Sequence, residues 1–437
     1  MDTNQHLEAI VDIGTSKVVV LVGCFAPNRQ VEIVGYGESE SQGIHRGVIL
    51  NTKEAAESIK MAVSMAQKDL QEPIKRVTVG INGHKLRNEI VQIDRTFDPG
   101  TEICTETLQS IMKEAKSSAC KSGETSYHIS PISFIINSET LINNPLNYTA
   151  RELSSRYHVI TGPMDYQNML IKCFESLHLH VNKIIVHPSI LGRYALSKEE
   201  KEMGSAVVDF GCGLTTIALY YRSRLYHTAS IPFGGEVITS DIMEAFQTIE
   251  DYAEKLKTTH GTVTSLLPNK SIRITLPGTG EIKAKDISLL ALSEVIEARL
   301  EEINEAIVFQ MEKYDLIEKM GAGVVISGGG ANFKGIQNLL SYDVGREVRI
   351  YNPQDITGVM TTKLMTCQYA TSTNLLHFVL DKAIKENRPK KNISDRSKST
   401  KREKEKEMEE NQKRPSFFNK CANKLLHLLE DDNSDIN

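Results

Sequence analysis

Apolar residues in the first eighty positions come in short runs separated by polar turns. Residues 8–22 read as two strands around the turn Asp12-Ile13-Gly14-Thr15-Ser16-Lys17, and Val31–Tyr36 reads as a third strand beyond Pro27-Asn28. Residues 53–70 place Ala56, Ile59, Ala62, Val63 and Ala66 at helical spacing, and Val77–Ile81 returns to a strand. Between about 82 and 162 the pattern loosens into a helix near 105–119, a polar loop over Asn143–Asn147, and strand-like runs at Phe134–Ile136 and Tyr157–Ile160. This stretch reads as an inserted subdomain. A helix over Asp165–Leu177, a strand over Lys183–Val186, a helix over Ser189–Leu196 and a charged break at Lys198–Glu202 follow.

Ala206–Tyr221 then repeats the opening motif. Asp209-x-Gly211 stands between two apolar runs as Asp12-x-Gly14 does, almost two hundred residues earlier. The same turn built twice predicts two related domains facing one ligand. The second half continues with a strand at Ser230–Phe233, a helix over about 236–258, a less regular patch to about 285, and a long helix over about 286–313. A buried strand over Gly323–Ser327 runs into Gly328-Gly329-Gly330, and a helix is expected at 333–341.

From Lys382 to Arg414 the residues are almost all charged or polar. Such a segment buries too little apolar surface to offset its ordering entropy, which predicts a flexible linker spanning about 30 Å as a random coil. The compact apolar stretch Pro415–Leu429 follows. On a helical wheel Phe418, Cys421, Ala422, Leu425, Leu426, Leu428 and Leu429 share an arc of about 160°, with Asn419, Lys420, Asn423, Lys424 and His427 opposite. Pro415 suits a helix start. The long leash makes docking on the protein's own core costly. Phe417 and Phe418 at one end, with Lys420 and Lys424 flanking, suit a lipid interface.

Composition narrows the class. The 437 residues fit two domains and a tail, and the 40% hydrophobic and 24% charged fractions are those of a soluble globular protein. A formal net charge of −5 argues against nucleic acid as a partner. The polar N-terminus does not read as a signal peptide, and no apolar run is long enough to span a bilayer. Seven scattered cysteines without a CxxC pair read as free thiols in a reducing, cytoplasmic compartment.

The glycine turns carry the candidate chemistry. Gly14 lets the first turn present the N–H groups of residues 14–17 to phosphate oxygens, with Thr15 and Ser16 as hydroxyl donors. Gly211 and Gly213 do the same from the other side. Asp12 and Asp209 make sense beside phosphate through a hydrated Mg²⁺. Gly328, Gly329 and Gly330, between a strand and a helix, allow close approach to a ribose or adenine.

These segments resemble the actin/Hsp70/sugar-kinase superfamily and, within it, the FtsA family of bacterial division proteins. VDIGTSKVVVLVG and VVDFGCGLTTIALY resemble the two phosphate segments, SIPFGGEVITSDI and AEKLKTTHG the strand–helix and ribose segments, and VVISGGGANFKGI the adenosine segment. Gln42–Ile49 resembles another family motif. The resemblance covers about 8–380. It implies an α/β, actin-like ATPase fold with two related domains around a nucleotide cleft that takes ATP and Mg²⁺. It adds Lys17, Thr215, Thr216, Gly234, Gly235 and Asn332 to the site and has Glu254 and Lys257 reach the ribose. The implied division is 7–81 and 163–200 for the first lobe, 82–162 for an FtsA-type insert, 201–362 for the second lobe, 363–381 for a return helix, 382–414 for the linker and 415–430 for a membrane-targeting helix.

Departures from the family pattern bear on hydrolysis. The second phosphate loop commonly reads D-x-GGGTTD, whereas this chain has Cys212, Leu214 and Thr216 in place of glycine, threonine and the last aspartate. Loss of a carboxylate at 216 removes an orienter for water or metal, and His187 before Pro188 reads as structural. Binding with slow or absent hydrolysis is expected. The long helix carries a core stripe at Leu292, Val295, Ile296, Leu300, Ile303 and Ile307, opposite Glu297, Arg299, Glu302 and Asn304. The resemblance implies that it receives the C-terminal peptide of FtsZ, with Arg299, Glu302 and Asn304 as contacts. The implied role is a polymer on the cytoplasmic face of the cell membrane at the division site, bound to anionic lipid, anchoring FtsZ and recruiting later division proteins. A pilus-assembly adaptor of the same fold is the alternative, and residues 417–429 argue against it. A superfamily kinase would need a further catalytic aspartate.

Overall fold

The Asp12 and Asp209 turns lie at the centres of two sheets built to one plan. The computed structural model describes residues 7–267, 269, 271–278, 284–313 and 316–387. In the first sheet Glu8–Ile13, Lys17–Phe25 and Val31–Glu40 form an antiparallel meander, and Arg76–Ile81 and His180–Val186 add in parallel beyond Glu8–Ile13. In the second, Ser205–Phe210, Thr215–Tyr221 and Arg224–Ile231 repeat the meander, with Val324–Ser327 and Val348–Ile350 added in parallel. The correspondence extends to register: Asp12 pairs with Val19 and Gly80, Asp209 with Thr216 and Ser327. The duplication expected from the sequence is thus a duplication of topology.

Each lobe has its own core. Helix Thr52–Ala66, capped by the Asn51 side chain, packs Ile59, Ala62 and Val63 onto the first sheet. Helix Ala370–Asn387 covers the opposite face with Leu375, Leu376 and Leu380. In the second lobe, helix Leu289–Glu312 buries Leu292, Ile296, Leu300, Ile303 and Ile307. The inserted sheet, ordered Arg87–Thr96, Glu152–Pro163, Glu124–Ile136, Thr140–Ile142, is backed by helix Thr105–Ala119 around a separate core.

Several elements differ from the sequence reading. The helix expected over 236–258 is two, Gly235–Phe246 and Glu250–His260, parted where Gln247 adopts a left-handed conformation (φ 43°). That break lets Ile238 and Ile242 enter the core while Glu254 and Lys257 reach the space between the lobes. The charged break after residue 197 is a short helix, Lys198–Met203, closed by a capping box between Ser197 and Glu200. The patch before 285 contains the hairpin Arg273–Leu276/Lys285–Ser288. The chain re-enters the first lobe before residue 363, because Ile356–Gly358 pairs with Val31–Ile33. Helix Ala370–Asn387 runs past Lys382, where the linker was expected to begin. The rest of that linker and the expected amphipathic helix at 415–430, with Phe417, Phe418, Lys420, Cys421, Lys424, Leu425, Leu426, Leu428 and Leu429, lie outside the described residues. Cysteines among the described residues form no disulfide with one another, and no described helix is long and apolar enough to cross a membrane.

Asn304 corrects the partner surface expected on the long helix. It is fully buried and donates to Asp343 Oδ2 at 2.7 Å. Its 4, 3, 4 spacing within Leu300-Asn304-Ile307-Met311 places it on the core stripe, so it cannot meet a partner. Arg299 is held by both oxygens of Asp241 (2.6 and 2.9 Å) and also bonds Glu302, whose side chain is 63% exposed.

Candidate functional site

The two hairpin turns close in the same way. Gly14 N donates to Lys17 O at 3.0 Å and Gly211 N donates to Leu214 O at 2.9 Å. A Cβ at either glycine would sit 2.8 Å from that same carbonyl. The turns also approach one another, since a Cβ on Gly213 would lie 2.7 Å from the Thr15 hydroxyl. Between them opens a cleft of about 440 Å³, within the range of small-ligand sites.

Of the residues expected in the site, Asp12, Gly14, Thr15, Ser16, Lys17, Asp209, Gly211, Gly213, Gly235, Glu254, Lys257, Gly328, Gly329, Gly330 and Asn332 line this cleft. Thr215, Thr216 and Gly234 are not among the lining residues. The Thr215 hydroxyl donates to Phe233 O at 2.8 Å, and Thr216 accepts from the Asn82 amide. Gly234 lies beneath the second turn, where a Cβ would meet Cys212 O at 2.3 Å. These three support the turn from behind. Lys257 is spent internally, on Gly235 O, Thr239 and Glu254, so it fixes the Glu254 carboxylate instead of reaching outward.

Charge in the cleft is unevenly satisfied. Burial alone would raise the Asp12 carboxyl, but His187 at 2.9 Å, the Ser372 hydroxyl and Lys17 together hold it below the usual carboxylate value. Burial likewise opposes charge on His187, and Asp12 and Asp209 outweigh it, leaving the imidazole pKa raised. Asp209 is pushed up by burial in spite of His187 and the hydroxyls of Thr371 (3.1 Å) and Ser327 (3.3 Å). It is a carboxylate short of positive charge. Lys17 is the reverse case: its ammonium lies 3.5 Å from the Tyr369 ring centre without a hydrogen-bond partner, and burial pushes it down to about 8. Lys17 lines the cleft and its ammonium is buried without a hydrogen-bond partner, so an anion that reached it would satisfy it.

Metal binding by side chains alone is not built in. Among the described residues no three His, Cys, Asp or Glu could chelate an ion. The two aspartates fit a hydrated cation that arrives with a polyphosphate, whose charge would also relieve Asp209.

Sequence reasoning missed several lining residues. Thr371 and Ser372 come from the first turn of the return helix, and Asn82 from the end of strand Arg76–Ile81. The run Thr371-Ser372-Thr373-Asn374, polar at the head of an apolar helix, was the available signal. His187, read as structural, faces the cleft between both aspartates.

Solved structures share this architecture. A PilM–PilN type IV pilus biogenesis complex aligns over 86% of this chain and 99% of its own, with TM-score 0.62 at 14% identity. MreB5 of Spiroplasma citri bound to AMPPNP aligns over 88% and 98%, with TM-score 0.53 at 14% identity. Two topologically matched lobes around a polar cleft define the class: an actin-like ATPase fold. Sequence narrows it further. The family model "Cell division protein FtsA" matches residues 206–373 and "SHS2 domain inserted in FTSA" matches 82–161. Cell division protein FtsA of Borreliella burgdorferi is 32% identical over 359 residues, 82% of this chain and 87% of that protein. The chain belongs to the FtsA family of cell division proteins.

Proposed function

We propose that this chain binds ATP with Mg²⁺ between its lobes and polymerises on the inner face of the cytoplasmic membrane at the division site. Residues 415–430 attach it to anionic lipid, and it holds the FtsZ C-terminal peptide and later division proteins. The observation that carries the nucleotide reading is the buried, unbonded Lys17 ammonium, with the Gly14 and Gly211 turns on either side of the same cleft. The AMPPNP held by MreB5 in the same fold supports it. Magnesium would sit against Asp12 and Asp209 through water and neutralise phosphate charge. The cleft's carboxylates, among the described lining residues, are Asp12, Asp209 and Glu254, each already accepting hydrogen bonds or an ion pair. Among the described lining residues His187 is likewise held against Asp12 at 2.9 Å, so none of these groups stands free as a general base, which supports slow turnover. Arg299 and Glu302 remain candidate contacts for the peptide. The likeness to a pilus-biogenesis protein carries only the fold.

Gly329 supplies the test. A Cβ there meets nothing within 4 Å, whereas one on Gly330 would lie 2.0 Å from the Phe210 ring. Gly329→Val should therefore fold with an unchanged melting temperature yet bind ATP about tenfold or more weakly, because the branched side chain fills cleft space. Unaltered affinity in a folded variant would place the nucleotide elsewhere.

A further inference from the structure

The inserted sheet is joined to the two lobes by different physics. Ile160 packs into the first-lobe core, with Leu86 and Tyr127 against it. Among the described residues, no hydrophobic cluster contains side chains from both the insert and the second lobe. Strand Arg224–Ile231 nevertheless lies against strands Arg87–Thr96, Glu124–Ile136 and Glu152–Pro163. The contact is polar. His158 pairs with Ser130 and Ile90 across the sheet, and Ile160 pairs with His128 and Asn88, so these side chains share the face turned from helix Thr105–Ala119. Of this set only His158 has a bond to the second lobe, Nε2 to the Thr228 hydroxyl at 3.3 Å. His158 Nδ1, Ser130 Oγ and both amide atoms of Asn88 are buried without a hydrogen-bond partner. Buried polar atoms left unpaired favour the state in which water reaches them.

At the cleft end of this seam stands Asn82. Its amide donates to Thr216, and its oxygen accepts from Ser230 at 3.0 Å and from Gly83 N at 2.9 Å. Thr216 and Ser230 are cross-strand partners in the second sheet. Thr216 also pairs with Asp209, while Asn82 lies two residues beyond Gly80, the partner of Asp12. One side chain therefore links the strand paired with that of Asp12 to the strand paired with that of Asp209, at the point where the insert departs.

We propose that the inserted sheet moves with the first lobe and is latched to the second through polar contacts, namely Asn82, the seam beside it and the Arg224 guanidinium on Asn143 O at 2.7 Å, so that the seam opens whenever the cleft opens. A ligand drawing the two aspartate turns together holds Asn82 on Thr216 and Ser230 and keeps the insert docked. Loss of the ligand frees that face of the insert for other contacts. The ligand arm of this inference rests on the ATP reading above; the latch does not.

Hydrogen exchange by mass spectrometry on the full chain, with and without ATP and Mg²⁺, tests both parts. Without nucleotide, Asn82→Ala and the milder Ser230→Ala should speed exchange roughly tenfold in peptides covering 152–163 and 224–231, with helix Thr105–Ala119 unchanged. ATP should slow the same peptides in the unsubstituted chain. Wild-type seam rates in both variants would overturn the latch, as would equal acceleration in Thr105–Ala119, which would mean that the insert unfolds instead of undocking. Protection at the glycine turns without change in the seam would overturn the coupling. If ATP altered no peptide at all, the nucleotide reading would fall, and the nucleotide-free comparison would still decide the latch. Should Asn82→Ala not fold, Ser230→Ala decides.

Discussion

Replacing Lys17 with methionine is expected to lower ATP affinity about 100-fold while leaving the empty protein as stable as before or more so. A charge-assisted contact to phosphate is the strongest single polar interaction the cleft can offer, and Lys17 is its one described lining ammonium without a hydrogen bond. In the empty cleft the same ammonium is costly. Its pKa falls from 10.5 to about 8, a cost on the order of 3 kcal/mol for keeping it charged. The sign can be checked by pH. The folded value lies below the unfolded one, so the unfolded chain binds more protons between pH 8 and about 10.5, and this group makes stability rise across that window. The methionine variant should lack that rise. Calorimetric titration with thermal melts reads both effects; affinity within threefold of the original would remove Lys17 from the site.

A chain ending at Arg414 should lose nearly all sedimentation with anionic vesicles. Burying several large apolar side chains at roughly 1.5–3 kcal/mol each gives reversible attachment after immobilisation costs, and a polymer displaying many such helices gains avidity. The basic residues over 390–406, with Lys413 and Arg414, remain in that truncation. Their attraction to anionic lipid is screened by salt, so at physiological ionic strength the shortened chain should stay in the supernatant. Equal pelleting of both chains would put the membrane contact in the folded lobes.

Much of the fold could be read from the chain because its centre is a local pattern used twice. A strand–turn–strand with Asp and Gly at fixed offsets needs no tertiary information, and both copies close with the same backbone bond. Thr215 and Thr216 were misplaced for an equally local reason: they begin the second strand of their hairpin, where alternation turns one to Phe233 O and the next to Asn82. Asn304 was misread against its own spacing, which belongs to the core stripe. Asn82, Thr371 and Ser372 are different. They reach the cleft from elements far apart in sequence, and only the sheet order brings them to Asp12 and Asp209. His187 stands against Asp12, a contact that its place before Pro188 does not reveal.

The central claim is that two mirrored turns share one nucleotide. Isothermal titration of the full-length chain with ATP in the presence of Mg²⁺ should give saturable binding of one nucleotide per chain, weakened when Asp12 or Asp209 is changed to alanine. No detectable association at millimolar ATP, or binding indifferent to both substitutions, would contradict it.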